Sequence, residues 1–567
     1  VAEQAAAAEG GSTVRKHCSR RLNGLKQNRS QFEGDWKQIA ALCAPARSRF
    51  LSSDTNKGRQ SNRRLNNSHG IFAMETLQNG MTSGLSSPDR PWFTLKSVDD
   101  SLDEQPEVRA HLSIREKLMY DFIASTNLYG VLKTGYLELG AFGTEAAILM
   151  ENRRVGMVGH ALTSGEYWIG LNDEMVAGSL YRECPLTAEQ AIGMFGADNV
   201  SSRVNSLYAA SNYDEQVIFY HAIEENPDYE EGMIGWRGKP WRSVYWEDGG
   251  KADQITQLLG FYEQPFWSPR WDTTGNDAYG QGPGHNALPD LRELQLQTKR
   301  KAELTDLLAW PELVTTSKTK LKRQPKSVTN VDAADAAATK PVYQVPPQAV
   351  QFVMQDIERL EQKINEATKA DLFMAITNMA GVQPRNMEEI AARNEEKLTQ
   401  LGPVIDRVNS EKLKVVIERV HGIMERARMF PPAPDAMRGQ PQIKIEFVSI
   451  LTQMQRMVGL GQLERGSNYV GSIAAVYPEA RFKLKPMELA DEYLTRAGVP
   501  GNVIRSNDDA QQMADQEAQQ QQAAAAAEQA KNVSQPFKDM TDAAKVAATI
   551  PGSGIPPVQD LVPLVPR

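Results

Sequence analysis

Apolar residues recur at three- and four-residue steps along most of this chain, so the pattern predicts a mainly helical protein. Over residues 14–44, Leu22, Leu25, Phe32, Trp36, Ile39 and Leu42 share roughly one face, and Pro45 stops the helix. Further helices are predicted over 68–85, 107–125 and 128–142. From 145 to about 269 the period shortens. Segments 146–150, 167–169, 216–223 and 241–246 read as short strands bounded by Gly, Asn, Asp and Pro, with one helical interruption at 187–196. The first half is therefore expected to be a mixed α+β domain, in which Trp236, Trp241, Trp246, Trp267 and Trp271 pack a β core or a subunit interface.

Long polar helices follow. One is expected over 286–310 and a second over 348–374, where Val350, Val353, Ile357, Leu360, Ile364, Ala367 and Met374 form a narrow seam suited to helix packing within an assembly. A third is expected over 387–428, capped by Asn386 with Glu389 at the capping-box position and about 60 Å long at 1.5 Å per residue. Gly402 and Pro403 lie inside it and predict a kink, because proline removes one backbone hydrogen bond and crowds the preceding turn. Pro431, Pro432 and Pro434 close that helix and open a smaller helical region over 443–509. Residues 1–13 are small and polar, expected to be disordered or weakly helical. Residues 510–531, almost all Gln and Ala, suit either a helix packed on its copies or an unstructured tail, and 551–567 read as extended.

Charge adds one local feature. The chain carries a net charge of -8, so its totals do not predict tight nucleic-acid binding. Between the two polar helices, however, residues 317–327 hold Lys318, Lys320, Lys322, Arg323 and Lys326 and no acid. A charge run usually marks a solvated loop; repeated around an assembly it becomes a collar able to dock an acidic partner or attract phosphate. Lys299, Arg300 and Lys301 on the first helix, and Lys363 and Lys369 on the second, are candidates to face a channel. Acids within helical reach (Glu293, Glu303, Asp306, Glu358, Glu366) favour local pairing instead. Over 286–310 four basic residues meet four acidic ones, a balance that suits a low-friction wall.

Catalytic signals are missing from the sequence. Gly280, Gly282 and Gly284 form G-x-G-x-G without the Lys-Ser/Thr of a phosphate loop, and Pro283 sits among them, so a tight turn into the helix is the better reading. The histidines have no ligand spacing, no nucleophile elbow is present, and no cofactor or metal is expected. Cys18, Cys43 and Cys184 are too scattered for a metal site or a disulfide framework. The first residues carry no secretory pattern and no apolar run reaches 18 residues, so folding in a reducing cytoplasm and no membrane partner are expected.

Residues 279–310, YGQGPGHNALPDLRELQLQTKRKAELTDLLAW, with a Tyr-Gly turn, a proline and an Ala-Leu-Pro-Asp entry into a long helix, carry a resemblance. So do 384–408, PRNMEEIAARNEEKLTQLGPVIDRV, 74–93 with the ending LSSPDRPWF, and 496–510, RAGVPGNVIRSNDDA. In this order and spacing the chain resembles the podophage head-to-tail connector (portal) family over about 19–510. The resemblance implies an α+β, mainly helical portal fold. Its parts would be a wing (1–285), stem helices (286–310 and 348–375), a clip (311–347), a tunnel loop and long kinked wing helix (376–430), a crown (431–509), a Gln/Ala-rich barrel or tail (510–531) and an extended tail (532–567). Gly381, Gln383, Pro384, Arg385 and Asn386 would lie in the tunnel loop. It further implies a homo-oligomeric ring, usually a dodecamer, at one capsid vertex of the virion, assembled in the host cytoplasm. Its partners would be the terminase large subunit, a tail adaptor, scaffolding and major capsid proteins, and double-stranded DNA passing through. Two alternatives stay open: another structural ring or tail-tube protein, and a nucleic-acid-processing enzyme with an unrecognised site.

Overall fold

The alternation of periodic and strand-like segments is realised in a computed structural model. It describes residues 2–45, 47, 65–99, 102, 105–250, 254–311, 313–314, 332–338, 340–341, 346–377, 395–437, 443–449, 451, 460–474, 477, 479, 483–496, 510–511, 513, 516–517, 519–520 and 522. The chain divides into two units, Val1–Gln462 and Leu463–Arg567.

The first unit opens with helices α1 (Ala2–Ser30), α2 (Glu33–Cys43) and α3 (His69–Leu85), strand β1 (Phe93–Ser97), and helices α4 (Pro106–Ala124) and α5 (Leu128–Phe142). Strands β2 (Ala146–Asn152), β3 (Gly156–Leu162), β4 (Tyr167–Leu171) and β5 (Ala177–Thr187) come next, then α6 (Ala188–Phe195), α7 (Ser202–Ala209), β6 (Gln216–Glu225), β7 (Trp241–Glu247), β8 (Gln257–Phe261) and β9 (Phe266–Trp267). After α8 (Pro283–Ala309), β10 (Leu313–Val314), α9 (Ala333–Ala338) and β11 (Lys340–Pro341) lead to α10 (Pro347–Ala367) and α11 (Ala370–Thr377). Helix α12 (Glu395–Val408) runs through a π-helical turn, Asn409–Leu413, into α13 (Lys414–Arg426); β12 (Ile443–Phe447) follows. Helix α14 (Leu460–Ala474) crosses into the second unit, which also holds α15 (Pro486–Arg496). The described residues among 510–522 are helical as well.

The architecture is α+β. Strands β4-β5-β6-β7-β8 form a five-stranded antiparallel sheet, β3-β2-β9 a three-stranded one, and β1-β12 and β10-β11 two-stranded ladders. Strand β2 begins with four buried residues, Ala146 to Leu149, because both of its faces are covered by packing. Helix α1 lies on the larger sheet through cations set over aromatic rings: Arg15 over Trp246 at 4.8 Å, Lys26 over Tyr220 at 4.7 Å, Arg29 over Trp168 at 4.3 Å. Inside the sheet the buried His221 ring stacks on Tyr245 at 3.8 Å. Arg182 Nε donates to His221 Nδ1 (3.1 Å), so the ring proton sits on Nε2 and faces Ser243 Oγ at 2.9 Å. Burial and the adjacent Arg182 hold this imidazole well below its ordinary pKa.

Several elements differ from the sequence expectation. The first helix starts at Ala2 and is broken before Glu33. The second polar helix ends at Ala367, where Thr368 turns its hydroxyl back onto the Ile364 carbonyl (2.7 Å) and Lys369 takes a left-handed φ of 58°. Residues 443–447, read as the start of a helical region, are strand β12, paired antiparallel to β1 from Phe93↔Phe447 to Ser97↔Ile443. Strand β5 and helix α7 were absent from the sequence reading, and α6 is found with its capping box, Thr187 accepting from Gln190 N at 3.2 Å. Pro403 lies inside α12, and a π-helical turn that the sequence reading did not include follows at Asn409–Leu413.

Candidate channel and docking elements

Helix α8 begins where the chain turns on Gly280, Gly282 and Gly284. A Cβ at Gly284 would meet the Ala141 carbonyl oxygen at 2.2 Å, so these glycines admit close backbone approach to the end of α5. Tyr279 is buried beside them, in edge contact with Trp36 at 5.1 Å, and its hydroxyl accepts from Ile169 N (3.1 Å). The Gly282 N–H then donates to His285 Nδ1 (3.2 Å), and Pro283 occupies the first helical turn, where no N–H is missed.

Helices α8 and α10 pack along an apolar seam of buried Leu291, Leu294, Ile357, Leu360 and Ile364. A polar clamp braces one side of it. Gln295 Oε1 accepts from the backbone N–H groups of Asn66 (2.7 Å) and Asn67 (3.1 Å), and Asn67 Nδ2 donates to Glu361 Oε1 (3.1 Å). His69 Nε2 faces Asn365 Oδ1 (2.9 Å) and the Glu361 carbonyl (3.2 Å), so it carries the proton. Sequence reading overlooked this clamp, because short polar side chains before a helix look like ordinary cap and loop residues.

The candidate cations separate by position. Lys299 is exposed and sits 3.7 Å from Glu303 on its own helix, whereas Lys363 reaches across the pair to Asp290 at 3.9 Å. Arg300 is exposed, Lys301 is half-buried, and Lys369 occupies the left-handed position between α10 and α11. Away from the seam, the pair leaves large apolar side chains in water: Phe352 is 68% exposed, and Leu296, Leu307, Leu308, Trp310 and Met354 are also exposed. Lys318, Lys320, Lys322, Arg323 and Lys326 lie outside the described residues, as do Gly381, Gln383, Pro384, Arg385 and Asn386. Strands β10 and β11, which flank the basic run in the sequence, form a short antiparallel ladder.

Buried charge fixes the long helix to the sheets. Lys412 and Glu145 are both fully buried and pair at 2.8 Å. Lys412 Nζ also donates to the Leu132 carbonyl (3.2 Å) and lies 3.5 Å from the centre of the Tyr136 ring, while Trp267 Nε1 donates to the other Glu145 oxygen (2.8 Å). Loss of hydration pushes the Glu145 carboxyl up and the Lys412 ammonium down; each partner partly offsets the other's shift. Nearby, Arg270 pairs with Glu411 at 2.9 Å and Arg407 donates to the Trp271 carbonyl at 2.6 Å. On α13, Arg419 lies 2.6 Å from Glu263 and 3.1 Å from Glu151; Arg426 lies 2.7 Å from Glu151 and also bonds Glu263.

The sequence profile of the family described as bacteriophage head to tail connecting protein matches residues 15–504. The chain belongs to this head-to-tail connecting family. It is 34% identical over 499 residues to the portal protein of Salmonella phage epsilon15, covering 87% of this chain and 89% of that one. To the probable portal protein of Bordetella phage BPP-1 it is 33% identical over 519 residues, covering 89% and 93%. Among solved structures, the neck of an empty GTA particle computed with C6 symmetry aligns with 72% of this chain and 86% of that one, at 10% identity and a TM-score of 0.34, too low to carry an argument. Family membership rests on the sequence relatives. A head-to-tail connector with portal-protein relatives is a structural component of the phage particle and not an enzyme. Among the described residues, no helix is long and apolar enough to cross a membrane.

Proposed function

We propose that this connector assembles as a homo-oligomeric ring, a dodecamer at one capsid vertex, through which double-stranded DNA is packaged and later ejected. The observation that carries this reading is the α8–α10 pair. Its inner seam is satisfied within one chain, yet Leu296, Leu307, Phe352 and Met354 are left exposed on its other faces. Large apolar side chains left in water on a helix pair are available to pack against another copy. A heterologous, head-to-tail contact between identical copies closes into a ring when the rotation permits.

The pairing of Lys299 with Glu303 and of Lys363 with Asp290 supports a conduit rather than a DNA clamp. Cations already neutralised by carboxylates release few counterions from DNA, so a duplex passing them is held weakly and slides. The basic run with Lys318, Lys320 and Lys322 is the proposed dock for the terminase large subunit, and after packaging for a tail adaptor; scaffolding and major capsid proteins would meet the outer surface. Residues 376–387, with Arg385, are the proposed tunnel loop.

Two variant sets test this. Leu296→Ser with Phe352→Ser should abolish the high-mass assembly in sedimentation while far-UV circular dichroism is retained; unchanged assembly would remove the helix pair from the interface. Charge reversal at Lys318, Lys320 and Lys322 should leave the ring intact and lower DNA packaging, whereas normal packaging would refute the docking role.

A further inference from the structure

The π-helical turn at Asn409–Leu413 interrupts an otherwise continuous helix, and its two flanks are anchored differently. Downstream, α13 is clamped by charge, with Arg419 and Arg426 each reaching Glu151 and Glu263. Both flanks bury apolar side chains, Leu401, Val404, Ile405 and Val408 on α12 and Val416, Ile417, Val420, Ile423 and Met424 on α13, but on α12 the described ion pairs reduce to Arg407 with Asp272 at 4.0 Å, beside its bond to the Trp271 carbonyl. Apolar contacts are non-directional and tolerate sliding; converging ion pairs do not.

The turn itself is costly. A π turn carries one residue more than α geometry accommodates, and Asn409 Oδ1 is buried with no hydrogen-bond partner among the described residues. Buried ion pairs and hydrogen bonds from the turn's own side chains hold it in place. Adjacent residues on an α-helix point about 100° apart. Accordingly Glu411 meets Arg270 on one side while Lys412 enters the core to meet Glu145, Tyr136 and the Leu132 carbonyl.

We propose that Asn409–Leu413 is a hinge between α12 and α13, and that the buried Lys412–Glu145 pair is its latch. With the latch closed, the π turn is fixed and the two helices move as one body. With it open, α12 moves over its apolar bed while α13 stays clamped to Glu151 and Glu263. This inference goes beyond the conduit reading and does not depend on it, since latch and hinge lie within one chain.

The test uses the full chain carrying Lys412→Met with Glu145→Gln, which removes both charges and keeps approximate volume. Glu145→Gln alone would strand the buried Lys412 ammonium, so Lys412→Met alone, in which Glu145 can take up a proton and keeps its bond from Trp267, is the second variant should the double one fail to fold. Hydrogen exchange should quicken about tenfold or more in peptides covering 401–413 and stay at wild-type rates over 416–424. Nitroxides at Asp406→Cys and Lys133→Cys, both exposed, with Cys184 replaced by Ser, should show one distance in the wild-type background and a second population in the unlatched one. Exchange that rises equally on both sides of the turn, or not at all, would overturn the proposal. So would a distance distribution that the latch variants leave unchanged.

Discussion

The packing of α11 on α3 offers a prediction whose sign follows from competing magnitudes. Gly80 lies on the face of α3 that meets Phe373; a Cβ built there would stand 2.3 Å from Phe373 Cδ1 and Cγ and 2.4 Å from its Cβ. Replacing Gly80 by Ala in a helix interior gains about 0.8–1.0 kcal/mol of helix propensity. Overpacking a tight contact costs typically about 1–3 kcal/mol. The obstructing atoms sit at the base of the Phe373 side chain, so rotating the ring does not clear them and α11 itself must retreat. The cost therefore falls toward the upper end, and Gly80→Ala should lose about 1–2 kcal/mol net. Phe373→Ala alone should lose about 3–5 kcal/mol, because it empties a fully buried site. Combined, the two changes should lose less than their sum, since the new methyl enters the space the ring has left. Denaturant unfolding followed by tryptophan fluorescence on all four proteins measures the cycle. A Gly80→Ala protein as stable as wild type, or additive losses in the double variant, would refute the reasoning.

Three further outcomes follow. Glu138 is fully buried and its carboxyl is pushed up to about 8, chiefly by burial. Thr163 Oγ1 donates to one of the carboxyl oxygens (2.7 Å) and Ser164 N to the other (3.2 Å), which offsets the rise only in part. A raised folded pKa contributes stability that is present at low pH and lost as pH rises from near 4.5 to about 8. The advantage of Glu138→Gln over wild type should therefore grow through that window, by at most about 1.4 kcal/mol per pH unit, then level off; a flat or falling difference in thermal unfolding would contradict it. Arg419→Met keeps its packing on Phe261 but strips a cation from Glu151 and Glu263, which are partly hydrated; about 2 kcal/mol should be lost in denaturant unfolding, and no loss would mean the clamp is not binding α13. Thr187→Ala breaks the α6 capping box and should cost about 1 kcal/mol, with faster amide exchange at Gln190 as the local readout; unchanged exchange there would count against the cap.

Much of the fold was legible wherever one physical signal dominated. Leu128–Phe142 was bounded to the residue, because apolar periodicity and a terminal glycine agree there. The Ile-Lys-Ile-Glu-Phe alternation of β12 did carry a strand signal, but surrounding helical segments outweighed it, and its partner lies about 350 residues earlier in β1. Lys412 was not legible. In Asn-Ser-Glu-Lys-Leu-Lys it reads as one more solvated charge, and nothing local announces a π turn that directs it inward. Glu145 was hidden likewise, since a lone acid before a strand gives no hint of Trp267 and Lys412 converging on it. For the channel candidates, the sequence placed Lys363 near Glu358 and Glu366, whereas its partner is Asp290 on the other helix. Spacing along one helix reveals neighbours on that helix, and pairs between helices wait for the fold.

The central claim is that identical copies of this connector close around a hole. Electron microscopy of the purified full chain tests it most directly. Rotationally symmetric particles of twelve copies with an open central channel are expected. Discrete monomers or dimers at concentrations where the protein is folded, or closed assemblies without a channel, would contradict it.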